Sequence, residues 1–168
     1  MTSSLDPRVQ DVLDEYHRRI EVERPRMRRA MDEGTFAQII DELLVPVGPE
    51  SGRIINILVK SLKTPTILEL GTSFGYSAIW LAEAARATGG RLVTMDLSAE
   101  KSAHARDMSK KAGLADVADF KVGDAVEMIK ELPSGIDFVL VDLWKKLYLP
   151  CLEAFSPRSA VPVRAQFV

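Results

Sequence analysis

Cysteine is almost missing from this chain: Cys151 is the only one in 168 residues. No internal disulfide can form, which favours a reducing compartment. Histidine is nearly as scarce, at His17 and His104, and both fall in charge-rich helical patterns that read as ordinary surface positions. No Cys/His set has zinc spacing and no Ser/His/Asp arrangement is suggested. No apolar run approaches the roughly 18 residues of a membrane span, and residues 1–7 are polar, without a signal-peptide core. The formal net charge of −2 gives no electrostatic case for nucleic acid. Internal repeats and low-complexity segments are also lacking. The expectation is a soluble, cytoplasmic protein with neither membrane nor nucleic-acid partner.

What is present is ordinary for a single globular domain, with 46% hydrophobic and 27% charged residues. One stretch organises the rest: Thr66-Ile67-Leu68-Glu69-Leu70-Gly71-Thr72-Ser73-Phe74-Gly75-Tyr76-Ser77. Its apolar start suits a buried parallel strand, two glycines four residues apart break it, and Ile79-Trp80-Leu81-Ala82 resumes as a helix. A glycine after a strand permits positive φ and close backbone approach, while the following helix offers free N–H groups to an anionic group. The nicotinamide and flavin fingerprint needs Gly-x-Gly-x-x-Gly, so the wider Gly71-x-x-x-Gly75 spacing weakens a dinucleotide reading. With Glu69 beside it, the turn suits a ligand ending in an amino acid; plain helix–strand packing is the alternative.

In chain order, Asp6-Pro7 is a helix start, and Val9, Val12, Leu13, Tyr16 and Ile20 share one face of a first helix on the outside of the domain. Six arginines between positions 18 and 29, interrupted by Pro25, read as a solvated helix end and kink, with an oligomer contact or anion patch as the other options. After Gly34, Phe36, Ile39, Ile40, Leu43 and Leu44 mark a second amphipathic helix. Residues 45–53 form a Pro/Gly loop, either a connector or a lid, before a helix expected to turn Ile54, Ile57, Leu58 and Leu62 inward.

From Thr66 the chain alternates. Strands are expected at residues 91–96, 117–122 and 136–141, with helices from Ser98 to about Lys111 and over residues 124–132. This alternation predicts an α/β fold: a doubly wound, Rossmann-like parallel sheet behind N-terminal helices. The division is residues 1–64 for the helices and lid, 65–155 for the βαβ core and 156–168 for an atypical tail. Ligands of such sheets bind beyond the carboxyl ends of the strands. Asp96, 25 residues after Gly71, ends the second strand, where it can accept both hydroxyls of a ribose or cap the next helix. Asp124 after the third strand is an N-cap that could also read an adenine edge. Asp142 ends the fourth strand, where a buried carboxylate requires a partner such as a metal or a lysine. Cys151 reads as a packed, inert thiol.

The turn Glu69-x-Gly71-x-x-x-Gly75 resembles motif I of class I S-adenosylmethionine-dependent methyltransferases. The run Asp142-Leu143-Trp144-Lys145-Lys146-Leu147-Tyr148-Leu149-Pro150, with the loop around Val47-Gly48, resembles the metal-dependent O-methyltransferases that include the catechol and caffeoyl-CoA enzymes. The likeness covers about residues 34–155 and is strongest to the catechol enzyme's Asp-x-Trp-Lys-x-x-Tyr-Leu-Pro segment. It implies that Glu69, Gly71, Ser73, Tyr76 and Ser77 hold the methionine end of S-adenosylmethionine under Val47 and Gly48. Asp96 would bind the ribose, and Leu97, Asp124, Ala125, Asp142 and Trp144 would border the rest of the cofactor. Asp142 would also be one ligand of Mg²⁺ or another divalent cation, and Lys145 the base for the acceptor hydroxyl. Leu143 stands where the catechol enzyme has a histidine against the adenine. A free lysine amine is protonated near neutral pH, so that base role requires a nearby metal or burial.

The family's remaining metal ligands are an Asp-Asn pair after a fifth strand, and residues 156–168 contain no Asp, Glu, Asn or His. Pro162 argues against a central strand there, although Val161, Val163, Ala165 and Phe167 alternate like an edge strand. The expectation is a truncated or frame-shifted member with an incomplete sheet on its C-terminal side and a homodimer formed at the open edge. Two functions follow: an O-methyltransferase acting on a small aromatic hydroxyl, or a non-catalytic S-adenosylmethionine-binding or oligomerising remnant. A nicotinamide oxidoreductase is the weaker third.

Overall fold

Five short segments assemble a parallel sheet, seen here in a computed structural model that describes residues 5–132, 135–155 and 165–166. The strands are β1 (Thr66–Leu70), β2 (Arg91–Asp96), β3 (Ala118–Val122), β4 (Phe138–Val141) and β5 (Ala165–Gln166). Their order is β3-β2-β1-β4-β5, with every pair parallel. The chain therefore reverses direction across the sheet between β1 and β4, the switch point beside which doubly wound sheets bind ligands. β5 occupies the end of the order, as the alternation around Ala165 suggested; Val161, Pro162, Val163 and Phe167 lie outside the described residues. The helices are α1 (Pro7–Asp32), α2 (Phe36–Ile39), α3 (Pro49–Lys60), α4 (Tyr76–Thr88), α5 (Ala99–Lys111), α6 (Ala125–Glu131) and α7 (Tyr148–Phe155).

Strand alternation sends the two sets of side chains to two cores. Ile67, Leu92, Phe120, Phe138 and Leu140 join α1, α3, α4 and α5 in the larger one, whereas Leu68, Leu70, Met95, Val139 and Val141 meet α6 and α7. Helix α4 is buried over ten consecutive residues from Tyr76 to Ala85 because it lies between the sheet and the outer helices. The Gly89 C-cap in the left-handed region ends it.

Three local expectations are corrected. Pro25 does not end the first helix, which continues to Asp32. Pro25 and Glu21 lie on the exposed side, where water can take the carbonyl that proline leaves unbonded. Several of the arginines find acids: Arg19 pairs with Glu23, Arg24 with Glu21 and Arg26 with Glu42. The second amphipathic helix shrinks to one turn of α2 and a 3₁₀ turn, Ile40–Glu42, because the Leu44 N–H is taken by the Glu23 carboxylate at 2.6 Å. On α3 the inward face is Gly52, Ile55, Asn56 and Val59, while Ile54 and Ile57 are 58% and 65% exposed. Gly52 decides that rotation: a Cβ there would run into the Trp80 indole, so the bare backbone is the contact. Leu58 and Leu62 still pack partly on the core.

Candidate functional site at the carboxyl ends of the strands

The glycine turn takes its shape from what a side chain would strike. Gly71 has φ +101°, and a Cβ there would overlap the Asp142 carbonyl oxygen, so β1 and β4 can leave the sheet side by side only with glycine at this point. The Gly71 and Thr72 N–H groups both donate to the Met95 carbonyl, tying the turn to β2. Gly75, at φ +96°, opens α4; its absent side chain leaves Ala105 2.6 Å from the Cβ position. Asp96 then bridges two turns. Its Oδ2 accepts the Ser73 N–H at 2.7 Å and its Oδ1 the Ser98 N–H at 2.8 Å. Capping of α5 falls to Ser98, whose hydroxyl accepts from Lys101, so the helix-cap alternative for Asp96 gives way to a link between the glycine turn and the end of β2. Each carboxylate oxygen keeps a lone pair for another donor.

Glu69 is the unusual group. Its side chain is fully buried at the end of β1, where Oε2 accepts the Thr94 hydroxyl at 2.5 Å and Thr94 in turn meets the Thr72 hydroxyl at 2.5 Å. Oε1 is buried with no partner among the described residues. Burial pushes the carboxyl up to about 8; the Ser77 and Thr94 hydroxyls oppose this, and the negative Asp142 and Asp96 add to it. Although the Ser77 hydroxyl favours the charged form, it does not close a hydrogen bond to Oε1. A buried carboxylate with a spare oxygen at a strand end is a receptor for a donor or a cation.

The remaining expected residues form the rim. Tyr76 and Ser77 are buried in the first turn of α4. Val47 packs on the larger core and Gly48, at φ +87°, starts α3. Leu97 and Trp144 stand out at 69% and 57% exposure, leaving one apolar surface past each of β2 and β4. Asp124 fulfils the capping role, accepting the Glu127 N–H at 3.1 Å, with Ala125 following it in α6. Asp142 is exposed rather than buried, yet desolvation by its surroundings raises its pKa. Leu143 is half-buried, and Lys145 is exposed in the 3₁₀ turn Lys145–Leu147. Among the described residues no three His, Cys, Asp or Glu side chains gather as a metal site at Asp142 or elsewhere.

His17 keeps a half-exposed side chain, its Nε2 2.9 Å from the Tyr76 hydroxyl. His104 departs from the surface reading: it packs edge-on against Tyr16 and Phe74 with a buried Nε2 that has no partner among the described residues, its pKa lowered chiefly by burial and then by Arg19. Cys151 is buried, its thiol pushed up by desolvation. Thr72 and Thr94 escaped the sequence reading. The available signal was Thr94 itself, a hydroxyl on the buried face of β2 in register with Glu69. A cleft of about 300 Å³ runs along the sheet beside α6, lined by Thr66, Arg91, Val93, Met95, Lys121 and Met128 among others.

Comparison with known proteins places this geometry. Mouse catechol O-methyltransferase is 32% identical over 114 residues, covering 65% of this chain and 43% of its own length. Caffeoyl-CoA O-methyltransferase 1 of Eucalyptus globulus is 29% identical over 111 residues, covering 63% of this chain and 45% of its own. The crystal structure of the Bacillus cereus O-methyltransferase in complex with SAH superposes with a TM-score of 0.64 at 25% identity, over 92% of this chain and 64% of that one. The chain thus spans about half the length of these curated relatives. No described helix is long and apolar enough to cross a membrane. The profile of the O-methyltransferase family matches residues 16–155, through the glycine turn, Asp96 and the Asp142-to-Pro150 run alike, and the chain belongs to that family.

Proposed function

We propose that this chain carries the S-adenosylmethionine site of an O-methyltransferase acting on the hydroxyl of a small aromatic, catechol-like acceptor. The observation that carries the reading is Glu69: a fully buried carboxylate with one oxygen unpartnered among the described residues, beneath a glycine turn whose next strand ends in Asp96. An α-amino group satisfies the spare Glu69 oxygen, a ribose diol uses the free lone pairs of Asp96, and Trp144 and Leu97 offer faces to the adenine. The names of the catechol and caffeoyl-CoA relatives support the acceptor class.

Bound S-adenosylmethionine supplies an electrophilic methyl group. The chain's own residues hold it in line with the acceptor oxygen, where alignment contributes much of the rate. Lys145, on the exposed turn beyond β4, stands where it could take the hydroxyl proton once bound cofactor and acceptor bury it and leave its amine neutral, as the oxygen–carbon bond forms and the carbon–sulfur bond breaks. Asp142 lies at the same mouth, but no group of three metal-ligating side chains gathers there among the described residues, and no step is routed through a cation.

A second reading, in which the chain keeps the cofactor seat without catalysis, rests on no group of three metal-ligating side chains gathering among the described residues. The homodimer expected at the open sheet edge belongs to the proposal as well, and sedimentation velocity reads it. Calorimetric titration with S-adenosylhomocysteine, with and without Mg²⁺, plus transfer of labelled methyl to a catechol panel, separates the readings. Binding with transfer that vanishes in Lys145→Met supports the enzyme. Binding that ignores Mg²⁺, without transfer, leaves the non-catalytic seat, and no binding overturns both.

A further inference from the structure

Phe74, in the middle of the glycine turn, is held at both ends by one turn of α1. Its carbonyl accepts the buried Tyr16 hydroxyl at 2.6 Å, and its ring lies 3.9 Å beneath the Arg19 guanidinium. Tyr16 can reach that carbonyl because Gly75 has no side chain: the phenol oxygen sits 3.1 Å from where its Cβ would be. His104 closes on the ring edge at 5.5 Å, and Lys101 lies 5.5 Å from its face. Arg19 also reaches away from the turn. Its Nε donates to Glu23 at 2.6 Å and its Nη2 to the Glu42 carbonyl at 3.3 Å, while Glu23 accepts the Leu44 N–H. The segment leading to Val47 and Gly48 is thereby anchored to the side chain that caps the glycine turn.

We propose that Tyr16 and Arg19 are positioning residues for the cofactor site, fixing Phe74 by its carbonyl and its ring so that α1 sets the affinity of residues 71–77 for an adenosyl ligand. This rests on the functional reading above. Neither side chain touches the ligand. Tyr16 holds the Phe74–Gly75 peptide, one residue beyond Ser73, whose N–H is bound to Asp96, and so keeps that carboxylate and the first amides of α4 in one geometry. Arg19 registers the Val47 side of the site against the glycine side. Lysine could keep the charge at position 19 but not the planar stack with its fork of donors.

The test is titration of Tyr16→Phe and Arg19→Lys with S-adenosylhomocysteine, paired with hydrogen–deuterium exchange of the ligand-free proteins. Arg24→Ala, which removes an exposed ion pair to Glu21 within the same helix, is the control. Each test variant should bind about three- to tenfold more weakly, as one lost hydrogen bond or cation–π contact predicts. Exchange should rise in peptides covering residues 71–80 and stay unchanged over β2, while the control matches wild type. Wild-type binding with both variants within about twofold overturns this inference alone, as does a rise in exchange spread over the whole sheet. Failure of the wild type to bind overturns the functional reading and this inference with it. If Tyr16→Phe does not fold, Arg19→Lys at its half-exposed position decides.

Discussion

Replacing Glu69 with glutamine should make the ligand-free protein more stable, by an amount that depends on pH. In the folded chain burial holds this carboxyl at about 8, against 4.5 for an unperturbed glutamate. Because the folded value is the higher one, its contribution is fully present below about pH 4.5 and is lost as pH rises to about 8. Each unit of that gap is about 1.4 kcal/mol, so at neutral pH wild type has lost about 3 kcal/mol relative to the neutral isostere, and about 5 kcal/mol above pH 8. Glutamine keeps an oxygen for the Thr94 hydroxyl and stays neutral at every pH, its amide carrying two N–H donors where the protonated acid has one O–H. Urea unfolding of both proteins from about pH 5 to about pH 9 reads the difference, which should be near zero at the acid end and widen steadily. A gap that stays flat with pH would refute the buried, neutral Glu69. The same substitution should weaken S-adenosylhomocysteine binding about tenfold or more, since a charge-assisted hydrogen bond to the ammonium is lost.

Asp96→Ala leaves the Ser73 and Ser98 N–H groups without their acceptor and should lower stability by about 1–3 kcal/mol while abolishing cofactor binding, both measurable in one thermal-shift titration. Gly71→Ala meets the Asp142 carbonyl at a φ of +101° and should destabilise by roughly 2–4 kcal/mol or push β4 away from β1, seen as loss of cooperative unfolding. Pro25→Ala, inside α1 on its exposed side, should stabilise by about 1–3 kcal/mol in chemical denaturation, because proline is the least favourable residue of a helix interior.

The βαβ alternation, the glycine turn and the acids at the strand ends were legible in the sequence because they are local. Glu69, Gly71, Asp96, Asp124 and Asp142 each sit where a strand's apolar run stops, and a period of two or a glycine spacing marks that stop without knowledge of neighbours. β2 over Arg91–Asp96 and α5 over Ala99–Lys111 followed from the same signals. What stayed hidden depends on which surface an element meets. Ile54 and Ile57 form as good an apolar stripe as Ile55 and Val59, and only the fit of Gly52 against Trp80 selects between them. Pro25 reads as a helix end until the acids paired with its neighbouring arginines and the buried Ala30 beyond it hold α1 together.

The sequence by itself determined the fold class, the order of its elements and the residue types at the mouth of the sheet, since these follow from backbone conformation and short-range periodicity. Tertiary structure alone decided that Glu69 is sealed with a spare oxygen, that Asp142 is exposed and that Tyr16 and Arg19 converge on Phe74. Burial, charge state and contacts between residues 58 positions apart are properties of packed surfaces, and no local pattern encodes them.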